Sequence, residues 1–292
     1  MTGNPVKTPA SAGSATTSVW QQYSLSDAEF ERLCRLVQEH VGIALGESKR
    51  ELVYSRLARR LRKLELRSFA EYCRLLESRD ADEIEEFINA ITTNLTSFFR
   101  EEHHFEHLAT VLPELEARNA ATRRIRIWSA GCSTGEEPYS IAMVVLETLG
   151  HLRGWDIRIL ATDVDSNVLA TGRSGEYTGE KLERVSGARR QRWFATLHGG
   201  ADRMRVSPEL ESIVVFKPLN LMQPWPMRGP FDVIFCRNVV IYFDKETQTQ
   251  LFERMADLQP IGGHLYIGHS ESLYRVTRRY QLIDKTTYVR MS

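Results

Sequence analysis

The chain has 292 residues, 42% of them hydrophobic and 26% charged, which suits a soluble globular protein of about two domains. Lys plus Arg and Asp plus Glu each number 38, so no global charge favours nucleic acid as a partner. No apolar run reaches the ~18 residues that cross a bilayer. The four cysteines (Cys34, Cys73, Cys132, Cys236) form no C-x-x-C pair, which excludes a disulfide frame or zinc knuckle.

Residues 1–22 are rich in Ser, Thr, Ala and Gly without an apolar signal-peptide core, and read as a disordered leader. Residues 23–115 are helical in pattern throughout. Ser26 and Glu29 form a capping box before an apolar run. A second helix is predicted from near Ser48 to about Leu66, with Val53, Leu57, Leu61 and Leu64 on one face. Ser68 can cap a third helix, and Asp80 or Asp82 a fourth. The texture then changes. Residues 116–292 alternate strands with helical stretches: "RIRIWSAG", "DIRILATDVD", "SIVVFKPLN", "FDVIFCRNV" and "GHLYIGHS" are β-rich, and "YQLIDKTTYVRM" adds more. This predicts an α/β domain with a mainly parallel sheet. The Gly-rich stretch at about 175–212 fits that alternation poorly and reads as an inserted subdomain, in which "LHGGADRM" supplies a turn.

The segment "IWSAGCSTGEEPYSIA" takes a strand through Gly131 and Gly135 into a helix. Such a turn brings the backbone close to a ligand. The following Glu136 and Glu137 would repel a phosphate and attract a cation. A nucleoside bearing an ammonium or sulfonium fits, and S-adenosylmethionine (SAM) is one. Asp163 ends the second strand, where an acidic residue can accept hydrogen bonds from ribose; Asp165 is the alternative. Asn220, after the third strand, offers the donor and acceptor that an adenine edge needs.

The same residues admit another chemistry. "GCSTG" matches the G-x-S-x-G elbow of serine hydrolases, and Ser133, Asp232 and His269 occur in triad order. Against it, the upstream sequence is helical and no oxyanion segment precedes it.

Five segments together, "LVYSRLARRLRKLEL", "ITTNLTSFFREEHHF", "AGCSTGEEPYSIA", "FDVIFCRNVVIYFDK" and "GHSES", resemble the chemotaxis receptor methyltransferases (CheR) over about residues 24–290. The resemblance implies an N-terminal all-helical domain, then a Rossmann-like SAM domain with a small inserted β subdomain. It implies methyl transfer from SAM to receptor glutamates, leaving glutamyl methyl esters and S-adenosyl-L-homocysteine. It carries SAM contacts onto Asn94, Thr96 and Arg100, with Arg100 on the methionine carboxylate. One of Glu136 and Glu137 would take the ammonium, Glu136 being favoured. Asp163 would hold ribose, and Asn220 and Leu221 adenine. Arg237, Asn238 and Tyr242 would line the methyl-transfer side, with Tyr242 aligning the reactants and Arg237 holding the incoming carboxylate. A cytoplasmic monomer is expected, acting on chemoreceptor cytoplasmic domains without inserting into the membrane. A methyltransferase with another acceptor and a non-catalytic SAM sensor are the alternatives.

Residues 48–67 carry eight basic and two acidic residues, and residues 69–90 seven acidic and two basic. Arg56, Arg60, Lys63 and Arg67 form a helical stripe that Arg59 widens. Either the acidic neighbour pairs with it, or it docks an acidic partner helix. The resemblance assigns it to the receptor. His103 and His107 stand four apart, but a structural role is expected, with no metal.

Overall fold

The computed structural model describes residues 23–78, 80–197 and 202–292. The leader and the Gly199–Gly200 turn lie outside them.

Four helices form the N-terminal unit: α1 (Asp27–Val41), α2 (Arg50–Lys63), α3 (Phe69–Glu77) and α4 (Ala81–Ile91). Each start follows from local chemistry. The Ser26–Glu29 capping box opens α1, Ser68 caps α3, and Asp80 caps α4 through the amides of Asp82 and Glu83. A short 3-10 turn, Glu47–Lys49, precedes α2, which ends three residues before the expected Leu66. Phe30, Leu57, Leu61, Phe69 and Phe87 meet in one buried core. Gly42 ends α1 at φ +73°, and a Cβ there would stand 2.6 Å from Met222 Sδ. The positive φ favours glycine there, and the Met222 side chain would have to move for any larger residue.

Helix α5 (His103–Arg118) departs from the expected boundary at about residue 115. Its Phe105, Leu108, Leu112 and Leu115 pack with Ile127 and Phe235 of the sheet, not with the helical core. By packing it joins the α/β body, because its buried apolar residues lie in the core cluster of the sheet.

The α/β body begins with β1 (Arg124–Ala130), α6 (Glu136–Leu149), β2 (Asp156–Asp163) and α7 (Ser166–Ser174). It resumes with β6 (Val214–Pro218), β7 (Val233–Cys236), α10 (Lys245–Asp257), β8 (His264–Ile267), β9 (Tyr280–Asp284) and β10 (Thr287–Arg290). The seven strands run β6-β2-β1-β7-β8-β10-β9. The first five in that order are parallel; β10 is antiparallel to both β8 and β9. Side chains alternate across the sheet as the pleat requires. Ile125 and Ile127 of β1 join one core, whereas Trp128 and Ala130 join the other.

Between α7 and β6 lies a second sheet, β3 (Glu176–Thr178), β5 (Arg203–Val206) and β4 (Phe194–Thr196), antiparallel in the order β3-β5-β4. Helices α8 (Gly187–Trp193) and α9 (Pro208–Ile213) complete this insert. Among the described residues no helix is long and apolar enough to cross a membrane.

Candidate active site

Strand order reverses at β1, which has β2 on one side and β7 on the other. Open α/β sheets bind ligands beyond the carboxyl ends of strands at such a point. A cleft enclosing about 940 Å³, its open mouth included, lies there. Its walls come from the segment after α4 (Asn94, Thr96, Arg100), the turn after β1 (Gly131, Ser133, Glu137), the end of β2 (Asp163), the segment after β6 (Asn220, Leu221) and the segment after β7 (Arg237, Asn238, Tyr242). Val41 and Ile43 of the helical unit close one side.

The turn is built for close approach. Gly131, Ser133 and Gly135 have φ of +82°, +50° and +96°. A Cβ on Gly135 would fall 2.7 Å from the Tyr177 hydroxyl and 2.9 Å from Gly172 Cα. Asp163 braces the turn: one carboxylate oxygen accepts from the Ser133 amide (2.8 Å), the other from the Asp165 amide (3.0 Å). Burial pushes the Asp163 carboxyl up, against the pull of these amides. Asp165 is committed elsewhere. It caps α7 through the Asn167 amide and accepts from Thr92 Oγ1 (2.9 Å) and Asn94 Nδ2 (2.7 Å). Asp163 is thus the cleft carboxylate of the two.

The two glutamates that open α6 diverge, and the preference for Glu136 is corrected. Glu136 is wholly buried and points away, its carboxylate held by Lys181 Nζ (3.0 Å) and Thr134 Oγ1 (2.6 Å). Successive helical residues differ by about 100° in direction, and here only Glu137 lines the cleft. It is anchored by Ser129 Oγ (2.7 Å) and Arg237 Nη1 (3.0 Å). Burial raises the Glu137 carboxyl, and Arg237 opposes that rise.

Arg237 differs from its expected role. Its side chain is 2% exposed and lies between Glu137 and Glu101, with Nη2 3.4 Å from Glu101 Oε2 and also donating to the Arg100 carbonyl. A cation so enclosed positions Glu137; it is not free to take an incoming carboxylate. Arg100 contrasts with it. Its guanidinium donates to the Leu95 carbonyl (2.8 Å) and meets no carboxylate among the described residues.

Asn220 lines the cleft; its side-chain Nδ2 donates to the His40 carbonyl (2.5 Å) and its Oδ1 accepts from the Met222 amide (2.9 Å). One N–H and one lone pair of that side chain remain beyond these two bonds. Asn220 thereby ties the cleft wall to α1, and Leu221 beside it supplies an apolar surface. Asn238 sits at φ +58°, its amide donating to Glu271. Tyr242 ends a 3-10 turn, Val240–Tyr242, and its carbonyl accepts from the Ala44 amide (2.8 Å). No hydrogen bond engages its hydroxyl among the described residues.

Two acidic residues that shape the site were not assigned from the sequence. Glu271, in "GHSES", is buried and accepts from the amides of Asn238, Val240, Ile241 and Gly268, which folds the loop carrying Asn238 and Tyr242. Glu101, in "FREEHHF", pairs with Arg237 and His269. Burial pushes the Glu101 carboxyl up, but His269 and Arg237 outweigh it and hold it at about 2. A buried carboxylate that gathers scattered amides has no local sequence signal.

The hydrolase constellation is not assembled. Ser133 Oγ donates to the Asn94 carbonyl (2.9 Å). Asp232 lies just before β7, at the amino end of that strand and so opposite the cleft, bonded to Arg118 and Asn119. His269 faces Glu101. His107 bonds the Tyr266 hydroxyl (2.8 Å).

The basic stripe divides. Arg60, with a 12% exposed side chain, pairs with Glu83 (2.5 Å) and Glu86 (2.6 Å) of α4, so its expected role in docking is corrected. Arg56 donates to the carbonyls of Ile91 (2.6 Å) and Thr92 (2.8 Å), where α4 leads into the cleft wall. Arg59 and Lys63 are exposed, with no ion pair among the described residues.

Comparison with known proteins gives the family. Residues 28–92 fit the family model of the CheR methyltransferase all-alpha domain, and residues 94–289 that of the CheR methyltransferase SAM binding domain. The chain belongs to the CheR methyltransferase family. A probable chemotaxis protein methyltransferase of Rhizobium etli is 47% identical over 257 residues, covering 87% of this chain and 96% of that one. The Escherichia coli chemotaxis protein methyltransferase is 43% identical over 284 residues, covering 96% of each. The cofactor of a CheR domain is SAM, and the cleft is lined by a guanidinium without a carboxylate partner among the described residues, Arg100, and by the carboxylates of Glu137 and Asp163.

Proposed function

We propose that this methyltransferase esterifies glutamate side chains on the cytoplasmic helices of chemoreceptors. The observation that carries the reading is the meeting of the basic helix with the cleft. Arg56 reaches from α2 to the cleft wall at Thr92, and exposed Arg59 and Lys63 continue that face outward. An acidic helix laid along α2 would bring its carboxylates to the mouth of the cleft, with charge complementarity steering the approach.

Bound SAM supplies a methyl group on a positively charged sulfur. Arg100 binds its carboxylate, Glu137 its ammonium and Asp163 its ribose, while Thr96, Asn94, Leu221 and Asn238 shape the walls. Arg237 holds Glu137 in place. A glutamate acceptor is ionised at neutral pH, so the site needs no general base. Opposite charges cancel as oxygen approaches carbon, and water opposes that by solvating both. The chain's contribution is alignment in a sheltered cleft. Tyr242, with its hydroxyl unengaged, is placed to orient the acceptor carboxylate. The setting is the cytoplasm, where the receptor helices are displayed.

The test is methyl transfer from labelled SAM to receptor-bearing membranes, with mass-spectrometric mapping of the sites. Base-labile label on glutamate is the expected result. Alkali-stable label would assign another acceptor, and tight SAM binding without transfer would assign a sensor.

A further inference from the structure

Behind the wall carrying Arg237, the chain places Glu101 just before α5 and His103 and His104 in its first turn. One ligand atom from each of the three lies within 4.8 Å of the other two. Independently, Glu101 Oε2, His103 Nε2 and His104 Nδ1 are buried without a hydrogen-bond partner among the described residues. The His104 side chain is 0% exposed and that of Glu101 10%, with His104 Nδ1 3.7 Å from Glu101 Oε2. Buried polar atoms are almost always satisfied; Glu101 Oε2 has the Arg237 guanidinium at 3.4 Å, but the two imidazole nitrogens have no partner among the described residues and call for an occupant.

We propose that this cluster is a binding site for a divalent transition metal of the zinc type. Two imidazoles and one carboxylate form a borderline donor set suited to zinc, whereas calcium and magnesium take oxygen. Three protein ligands leave a fourth position for water. The outer contacts resemble those that orient metal ligands. Thr286 Oγ1 holds His104 Nε2 (2.9 Å), which points Nδ1 inward, and His269 Nδ1 holds the other Glu101 oxygen (2.9 Å). The local charge permits a cation: Glu101 and Glu137 face the single guanidinium of Arg237. The site is separate from the SAM cleft, whose lining includes none of the three ligands. A lone water bridging the same atoms is the rival occupant.

The test uses the full chain, stripped with chelator and titrated with zinc chloride by calorimetry, followed by X-ray absorption at the zinc edge. The expected result is one zinc per chain with two imidazole nitrogens in the first shell. His103→Ala and the isosteric Glu101→Gln should each weaken zinc binding by roughly 100-fold or more, beyond the 10–100-fold worth of an outer-shell partner. His151→Ala, at an exposed histidine, should bind as the parent does. Absence of one-site binding would overturn the site. So would a zinc shell without two imidazoles, or zinc affinity unchanged in both ligand variants; either leaves the space to water. The absorption spectrum of the unaltered chain decides even if a variant fails to fold.

Discussion

Replacing Arg100 by alanine isolates one half of the recognition of SAM. In the free protein the guanidinium makes a single hydrogen bond, to the Leu95 carbonyl at 2.8 Å, and meets no carboxylate among the described residues. Its removal therefore costs the unliganded fold little. In the complex it removes a charge-assisted bond to the methionine carboxylate, about 1.5–3 kcal/mol. At ~1.4 kcal/mol per decade, the Kd for SAM should rise roughly 10- to 150-fold. S-adenosylhomocysteine keeps the same amino-acid end and should lose affinity equally. That carboxylate takes no part in the reaction, so kcat at saturating SAM should stay near the parent value, the mark of uniform binding. Arg100→Lys keeps the charge but not the forked geometry and should fall between. Calorimetry with both ligands and a thermal melt of the free protein are the measurements. A Kd within about threefold of the parent, on a protein with an unchanged melt, would refute the assignment.

Further substitutions separate roles that lie close in sequence. Glu137→Gln should weaken SAM binding at least about tenfold, whereas Glu136→Gln should lower unfolding free energy by about 1–3 kcal/mol and leave SAM affinity nearly unchanged; calorimetry and denaturant melts distinguish them. Tyr242→Phe should lower turnover about 5- to 20-fold, the worth of one hydrogen bond of about 1–1.8 kcal/mol, with SAM affinity retained; equal loss in both would assign it to packing. The double change Arg59→Glu and Lys63→Glu should raise the receptor KM, more so at low salt, with SAM affinity intact. Arg60→Glu should instead destabilise the helical unit by about 3–5 kcal/mol, because it strands the buried Glu83. A melt unchanged by Arg60→Glu would reopen that residue as a docking contact.

Much of this protein is written in short-range signals. Ser26 with Glu29, Ser68 and Asp80 announce three helix starts because capping is decided within four residues. The glycines of "AGCSTGEE" announce a tight turn because positive φ is a property of single residues, and the change from helical to alternating pattern at residue 124 announces the sheet. Wherever two readings depended on direction in space, the sequence left them open. Glu136 and Glu137 are adjacent and chemically identical; the helix turns one to the cleft and the other to Lys181. Arg59 and Arg60 are likewise adjacent, and only the packing of α2 on α4 commits Arg60 to Glu83. Helix α5 reads as part of the helical run, yet its apolar face finds its partners on the sheet. Glu271 and Glu101 organise the site from a distance, through amides and cations far away in the chain. Local composition determined the elements and their order; tertiary packing alone decided which charges face each other. A side chain's electrostatic role depends on its distances to groups remote in sequence, and those distances exist only once the chain has folded.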